Sequence, residues 1–167
     1  HTGAIRAAFH DPDPEWILTA VFAMRFVRGF EKEILEALKT DDPPILREAI
    51  LAAGAWEIAQ AWPLVKRMLR SRYRVEDLAP GNPEMATAIL LAAIHSTASL
   101  GGEEGQILLE GLMVELDDPE EALEMGEELG EDEENLYYAV EEALELAYLL
   151  AHQDELDAEI FDNEDFP

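Results

Sequence analysis

The chain has 167 residues, 49% of them hydrophobic, and a net charge of −27 from 38 acidic and 11 basic side chains. This length and apolar content suffice for one compact domain or one short repeat array and argue against a disordered acidic tail. The absence of cysteine excludes a disulfide framework and thiolate metal sites, and the negative charge argues against direct nucleic-acid binding and against binding to anionic membranes.

A membrane span and a secretory leader are both unexpected. The best apolar candidate, 16–27, is interrupted by Arg25 and followed by Arg28, whereas a span needs about 20 apolar residues. No secretory leader is recognised. We therefore expect a cytoplasmic protein that makes no membrane contact.

Four short motifs predict where helices begin. In each, an Asp or Asn stands directly before a proline and ahead of an apolar run with helical period. The Asx side chain can accept amide hydrogens of the first turn, and proline at the first helical position loses no needed donor. The motifs are Asp13-Pro14-Glu15, Asp42-Pro43-Pro44, Asn82-Pro83-Glu84 and Asp118-Pro119-Glu120.

The prolines of these motifs are 29, 40 and 36 residues apart, which is the range of helical-hairpin repeats. Each interval holds two apolar runs of helical period, and glycine-containing breaks are predicted at Gly29, Gly54 to Glu57, Gly101-Gly102 and Gly130. No alternating segment predicts a strand. The predicted helix pairs are 13–39, 43–70, 83–116 and 119–151.

The stretch 42–55, DPPILREAILAAGA, followed by 61–69, AWPLVKRML, resembles one unit of the HEAT-like (armadillo-type) α-helical repeat family. The resemblance rests on the Asx-Pro start, the arginine in the first helix, the small residues and the proline that opens the second helix. It implies a short α-solenoid of about four antiparallel helix pairs over residues 1–152, with the second helices lining a concave binding face. An irregular or compact helical bundle is the alternative fold, because both have the same pattern in each helix.

The tail 153–167 alternates acidic and apolar residues. We expect it to form an acidic C-terminal arm that folds back over the end of the repeats, with Phe161 and Phe166 covering apolar surface.

Charge is distributed very unevenly along the chain. All 11 basic residues lie in the first 74 positions against 10 acidic ones, and the following 93 residues carry 28 acidic residues and no Lys or Arg. The two parts therefore carry about +1 and −28. A field of this kind concentrates cationic partners near the C-terminal half.

Helical spacing places an acidic stripe with aromatic ends on the last helix. The stripe residues fall opposite an apolar seam formed by Leu136, Val140, Ala143, Ala147 and Leu150. A preceding short helix is expected to carry six unpaired carboxylates between Glu120 and Glu131, Glu124 and Glu128 among them. The candidate partner-binding residues are Tyr138, Glu141, Glu142, Glu145, Tyr148, Glu124 and Glu128.

Carboxylates can pair with guanidinium or ammonium groups, and tyrosine faces add cation–π attraction. The first hypothesis is therefore a non-enzymatic scaffold that docks a basic protein or an Arg/Lys-rich peptide. Three alternatives stay open: a mimic of nucleic acid that inhibits a nucleic-acid-binding protein, an accessory subunit of an enzyme, and a solvated or salt-adapted surface that binds nothing. A basic segment with Arg70, Arg72 and Arg74 is expected to lie against the acidic half and to compete with a basic ligand.

The sequence predicts no catalytic residues, no cofactor and no metal site. None of the four histidines has an acidic residue three positions before it, and the acidic clusters lack the ligand spacing of a calcium loop. His95 and Ser99 share a helical face and are the best pair for proton transfer, although carbonyl-bonded hydroxyls are the commoner outcome. Gly101, Gly102 and Gly105 surround two glutamates, so a helix-to-helix turn is favoured over a phosphate loop.

Overall fold

A computed structural model describes residues 1–70 and 72–164, and every regular element in this part of the chain is helical. The all-α prediction is confirmed for these residues. Short 3-10 helices at Ala59–Ala61 and Arg72–Leu78 lie on either side of α5. The α-helices are α1 (Thr2–Phe9), α2 (Pro14–Met24), α3 (Glu31–Ala37), α4 (Pro43–Ala55), α5 (Trp62–Arg70), α6 (Pro83–Glu115), α7 (Pro119–Glu124) and α8 (Glu131–Glu164).

All four predicted Asx-Pro helix starts are confirmed. In each, the Asx side chain accepts a hydrogen bond from a backbone amide of the first turn, and proline occupies the first turn. These bonds satisfy donors that the helix itself leaves free. They join Asp13 to Glu15 N (3.0 Å), Asp42 to Ile45 N (3.3 Å), Asn82 to Met85 N (3.1 Å) and Asp118 to Glu120 N (2.9 Å).

The predicted break at Gly101-Gly102 reverses the chain direction within α6. Gly102 has φ 52° and ψ −138°, a conformation open only to glycine among ordinary residues. A Cβ built on Gly105 would lie 3.0 Å from the Thr97 carbonyl oxygen, whereas eight residues of a straight helix span about 12 Å. The halves 83–101 and 103–115 therefore pack on each other, and Leu109 is fully buried.

Glu57 ends α4 in a left-handed conformation, with φ 51°. Its amide donates to the Gly54 carbonyl oxygen and the amide of Ile58 donates to the Ala53 carbonyl oxygen, at 3.3 and 3.0 Å. This is the Schellman pattern, in which glycine is the usual residue at the position that Glu57 holds. Glu57 therefore carries backbone strain that the sequence pattern did not reveal.

The Glu57→Gly variant is expected to be more stable than the natural chain by about 0.5–1 kcal/mol. Relief of the left-handed strain exceeds the greater entropy that glycine gives the unfolded chain. Urea unfolding followed by circular dichroism measures the difference. Glu57→Ala keeps the left-handed strain while removing the carboxylate, so an equal gain from alanine would contradict the backbone explanation.

Helix α7 is shorter than the predicted acidic helix, which is a correction. It ends at Glu124, and Glu127 and Glu128 lie outside it. Gly126, with φ 79°, and the amide of Glu127, which donates to the Ala122 carbonyl oxygen at 2.8 Å, form a second Schellman end. Late carboxylates oppose the helix dipole and have no nearby cation in the sequence, so termination at glycine is favoured.

The helix contacts form a central row with three further helices packed at its side. Helices α2, α4, α6 and α8 form a row in which each packs on the next, while α1 packs on α2, α3 on α4 and α5 on α6. The helices of the predicted pair 13–39, α2 and α3, also contact each other, although less extensively than α2 and α4 do, and those of the pair 43–70, α4 and α5, both pack mainly on α6. Helix breaks locate the ends of helices in the sequence, but they do not say which neighbour each helix packs against.

Two apolar cores hold this row together. The N-terminal core lies among α1 to α4 and includes Phe30 and Ile34, and the larger core surrounds α6 and includes Ile89 and Val140. At the N-terminal core, the Trp56 indole N–H donates to the Met24 carbonyl oxygen at 2.6 Å. Because α6 contacts α4, α5 and α8, it positions the acidic C-terminal helix against the rest of the protein.

The expected separate C-terminal arm is absent from the described part of the chain. Helix α8 instead continues without a break beyond residue 152 to Glu164, and the residues from 151 to 162 are all exposed. Phe161 is 68% exposed and covers no apolar surface. Phe166 lies outside the described residues. The alternation of acidic and apolar residues is equally compatible with a helix that projects into solvent, because such a helix has no buried side.

Part of α6 differs from the expectation that no apolar segment is long enough to span a membrane. By length and composition alone, one stretch among the described residues, Pro83–Glu124, is long and apolar enough to cross a membrane, with mean hydropathy 1.4 over its best 18-residue window. However, 56% of that window is buried against other helices, and the chain reverses at Gly102. A core helix of a globular protein passes the same test.

Candidate docking surface

Helix α8 has one buried side and one exposed side over 136–150. Val140, Ala143, Leu144 and Ala147 are at most 8% exposed and pack into the core around α6. The five predicted stripe residues of this helix, Tyr138, Glu141, Glu142, Glu145 and Tyr148, lie on the exposed side. Helical periodicity therefore places these charges toward solvent, where a second molecule can reach them.

Tyr148 joins the stripe to the second half of α6. Its hydroxyl donates to Glu110 Oε1 at 2.9 Å, and Gln106 Nε2 donates to the same oxygen at 3.1 Å. This hydrogen bond, with burial and the Glu110 charge, raises the pKa of Tyr148. Glu110 is thus part of the candidate surface, although the sequence reasoning, which considered α8 and the preceding acidic segment, missed it.

Tyr138 lies near the beginning of α7 rather than near its end. Partial burial raises the pKa of Tyr138, and the charges of Glu120, Glu134 and Asp118 raise it further. The rings of Tyr137 and Tyr138 meet edge to face with centroids 5.6 Å apart. Glu124 and Glu128 are exposed, at the last position of α7 and in the connection to α8. Asp118, which caps α7, and Glu120, in its first turn, are therefore the carboxylates of this region that belong to this end of the surface.

Cations adjoin the stripe at its Tyr138 end. Arg25 and Arg47 line a cleft of about 530 Å³ with Tyr138, His95 and Glu142. Both arginines bind the mostly buried carboxylate of Glu48, with nitrogen–oxygen distances of 3.4 and 2.7 Å. Two guanidinium groups on one carboxylate leave one positive charge, and Glu142 at the same cleft offsets it. The two arginines therefore neutralise part of the negative charge at the Tyr138 end, which the sequence alone did not suggest.

The other end of the stripe lies beside a cleft that gathers carboxylates from three helical segments. The cleft has a volume of about 550 Å³, and the described residues that line it include no basic side chain. Glu57 comes from the end of α4, Glu103 from the turn of α6, and Asp154 and Glu155 from α8. This grouping depends on the reversal at Gly102, which brings Glu103 toward α8. We name it the corner cleft.

Lys66 and Arg70 of α5 lie beside α6. Lys66 Nζ forms an ion pair with Glu104 Oε1. The Lys66 hydrogen bond, acting against a smaller effect of burial, lowers the pKa of Glu104, and the charge of Arg70 acts in the same direction. Arg74 is exposed, and the side chain of Arg72 lies outside the described residues. The predicted competition of this basic segment with a ligand stays a prediction.

The described residues contain no cluster of three or more His, Asp or Glu side chains suited to a metal ion. The Ser99 hydroxyl donates to the Ser96 carbonyl oxygen at 3.1 Å, and the Ser96 hydroxyl donates to that of Ile50 at 3.2 Å. His95 is exposed beside α8, whereas Ser99 lines the corner cleft. The hydroxyls thus serve helix packing, and His95 and Ser99 belong to different surfaces.

Comparison with known proteins finds no family model that matches this chain, and no curated protein or solved structure matches it significantly. The HEAT-like resemblance stays a prediction from residues 42–69.

Proposed function

We propose that this protein is a non-enzymatic scaffold whose C-terminal half docks a basic protein or an Arg/Lys-rich peptide. The observation that carries the proposal is the exposed side of α8 with the adjoining corner cleft. Carboxylates from α4, α6 and α8 meet there, and the sequence beyond Arg74 contains no Lys or Arg to neutralise them. Such a surface attracts and orients cationic partners.

The way in which the helices contact one another supports the hypothesis that this protein is a scaffold. A row in which α2, α4, α6 and α8 pack successively is what a short helical array requires, since each unit of an array contacts its neighbours. We infer from this order that the chain is a short array of HEAT-like type. An array presents a long surface along one edge, which suits binding of an extended or helical segment.

Neutralising part of the stripe tests the proposal. In the Glu141→Gln/Glu142→Gln/Glu145→Gln variant, affinity for a twelve-residue arginine-rich peptide is expected to fall about tenfold at 150 mM salt. Each exposed ion pair contributes about 0.5 kcal/mol, and the loss of three such pairs corresponds to about a tenfold change in affinity. Isothermal titration calorimetry measures the affinity.

A matched control separates position from net charge. The Glu15→Gln/Glu31→Gln/Glu36→Gln variant neutralises three exposed carboxylates of the N-terminal half, and both variants have a net charge of −24, because three charges are removed from −27. The control is expected to bind within about twofold of the natural chain. Equal losses in both variants would show that the peptide senses only total charge, and the docking proposal would fail.

A further inference from the structure

The part of α8 that extends beyond the core carries an exposed apolar stripe. Leu146, Leu149, Leu156 and Ile160 are 39%, 66%, 40% and 58% exposed. With the exposed Gln153, their positions advance by three, four, three and four residues, which is the spacing of the contact positions of a coiled coil. We call these four apolar residues the outer stripe, and it lies opposite the buried seam of the same helix.

The outer stripe begins in a small recess against α6. Leu146 and Leu149 line a cleft of about 260 Å³ together with His95, Ala139 and Ala143, and Glu142 and Glu145 stand at the same cleft. An apolar side chain that enters this recess is surrounded by aliphatic carbon and bordered by carboxylates. The recess thus offers one anchor point, and the projecting part of α8 offers a continuous face beyond it.

The charges beside the outer stripe decide the chemistry of its occupant. Glu145, Asp157 and Glu159 flank the apolar residues by helical position, and they are exposed. A second copy of this chain would place its own carboxylates against them, with no Lys or Arg beyond Arg74 to offset the repulsion. A helix with apolar residues on one side and Lys or Arg on its flanks matches both the stripe and its charges.

We propose that the outer stripe docks an amphipathic basic helix of a partner protein, lengthwise along α8 from Leu146 to Ile160. This inference rests on the proposed function and specifies its partner. The contact length is about 21 Å, because the 14 steps from residue 146 to residue 160 rise about 1.5 Å each. A partner segment of about 18 residues spans it. Its apolar side chains pack on the stripe, one of them in the recess beside His95, and its cations face the flanking carboxylates.

Binding of two designed peptides to the 167-residue chain tests the proposal. One peptide is an 18-residue Lys/Leu helix with leucines at coiled-coil spacing, and the other has the same composition in an order that destroys the apolar face. Calorimetry at 150 mM salt is expected to show at least tenfold tighter binding of the amphipathic peptide. Equal affinities for the two peptides would overturn the outer stripe as a docking face, while leaving the electrostatic proposed function standing.

Variants locate the contact. Leu149→Gln/Leu156→Gln keeps helix-forming side chains and is expected to weaken binding of the amphipathic peptide about tenfold, while hardly changing that of the scrambled peptide. The matched control is Ile107→Gln/Val114→Gln, which removes two apolar side chains of α6 that are 60% and 87% exposed, and unchanged binding is expected. Equal weakening by the two double variants would contradict the assignment of the contact to the outer stripe. If the natural chain bound neither peptide, the proposed function would be refuted as well.

Sedimentation of the free protein tests the competing occupant. A monomer is expected at low and moderate salt. A dimer that the Leu149→Gln/Leu156→Gln variant converts to monomer would show that a second copy occupies the outer stripe, and the basic-helix proposal would be overturned.

Discussion

The Gly54→Ala variant is expected to lose about 2–3 kcal/mol of unfolding free energy, although alanine ordinarily favours a helix over glycine. A Cβ built on Gly54 lies 2.6 Å from Ser96 Oγ, 2.8 Å from Ser96 Cβ and 3.3 Å from Ser96 Cα. Helices α4 and α6 therefore have to separate, and overpacking of a close contact costs about 1–3 kcal/mol. The hydrogen bond from Ser96 Oγ to the Ile50 carbonyl oxygen is lost with it.

Urea unfolding of the double variant Gly54→Ala/Ser96→Gly isolates this contact. The substitution at Ser96 removes the two nearest atoms, so the double variant is expected to be more stable than the sum of the single effects predicts, by about 1–2 kcal/mol. Additive effects would show that Gly54 is not required for the approach of α4 to α6. Because α6 connects α4 to α8, a change in the packing of α4 on α6 also affects how the docking surface on α8 is positioned.

The Gly102→Ala variant is expected to lose about 2–3 kcal/mol, for a different reason. Nothing lies within 4 Å of a Cβ built on Gly102, so the cost arises in the backbone, whose φ of 52° and ψ of −138° exclude ordinary L-residues. The reversal at this glycine also positions Glu103 at the corner cleft. Loss of stability is therefore expected together with weaker binding of an arginine-rich peptide.

Gly111→Ala serves as the control for Gly102→Ala. Gly111 lies in the second half of α6, and nothing lies within 4 Å of a Cβ built on it. Alanine there is expected to raise stability by about 0.5–1 kcal/mol, as helix propensity predicts. Denaturation midpoints measured by circular dichroism distinguish the two glycines, and similar midpoints for both variants would contradict a backbone requirement at Gly102.

The projecting part of α8 has an unusual electrostatic composition for the end of a helix. Five carboxylates lie between 154 and 162, with no Lys or Arg in this segment, and carboxylates near a helix C-terminus oppose the helix dipole. Amide hydrogen exchange in 153–162 is therefore expected to be much faster than in 136–150, whose seam is buried. The amphipathic basic peptide is expected to slow exchange in 153–162. Unchanged exchange in saturating peptide would place binding elsewhere.

Local chemistry of the sequence determined four helix starts and the sidedness of α8. The four Asx-Pro caps depend on a side chain and an amide two or three residues apart, so the local sequence suffices to place them. The turn at Gly101-Gly102 depends on one conformationally permissive residue. The seam at Val140, Ala143 and Ala147 follows from helical period alone.

The tertiary structure decided which residues share a surface. Glu57, Glu103 and Asp154 are far apart in the chain and meet because α4, the turn of α6 and α8 pack together. Arg25 and Arg47 approach the Tyr138 end for the same reason. Periodicity assigns each residue to a side of its own helix, but the free energy that selects one helix packing comes from side chains distant in sequence. The candidate site could therefore be predicted within α8 and not across the helices that border it.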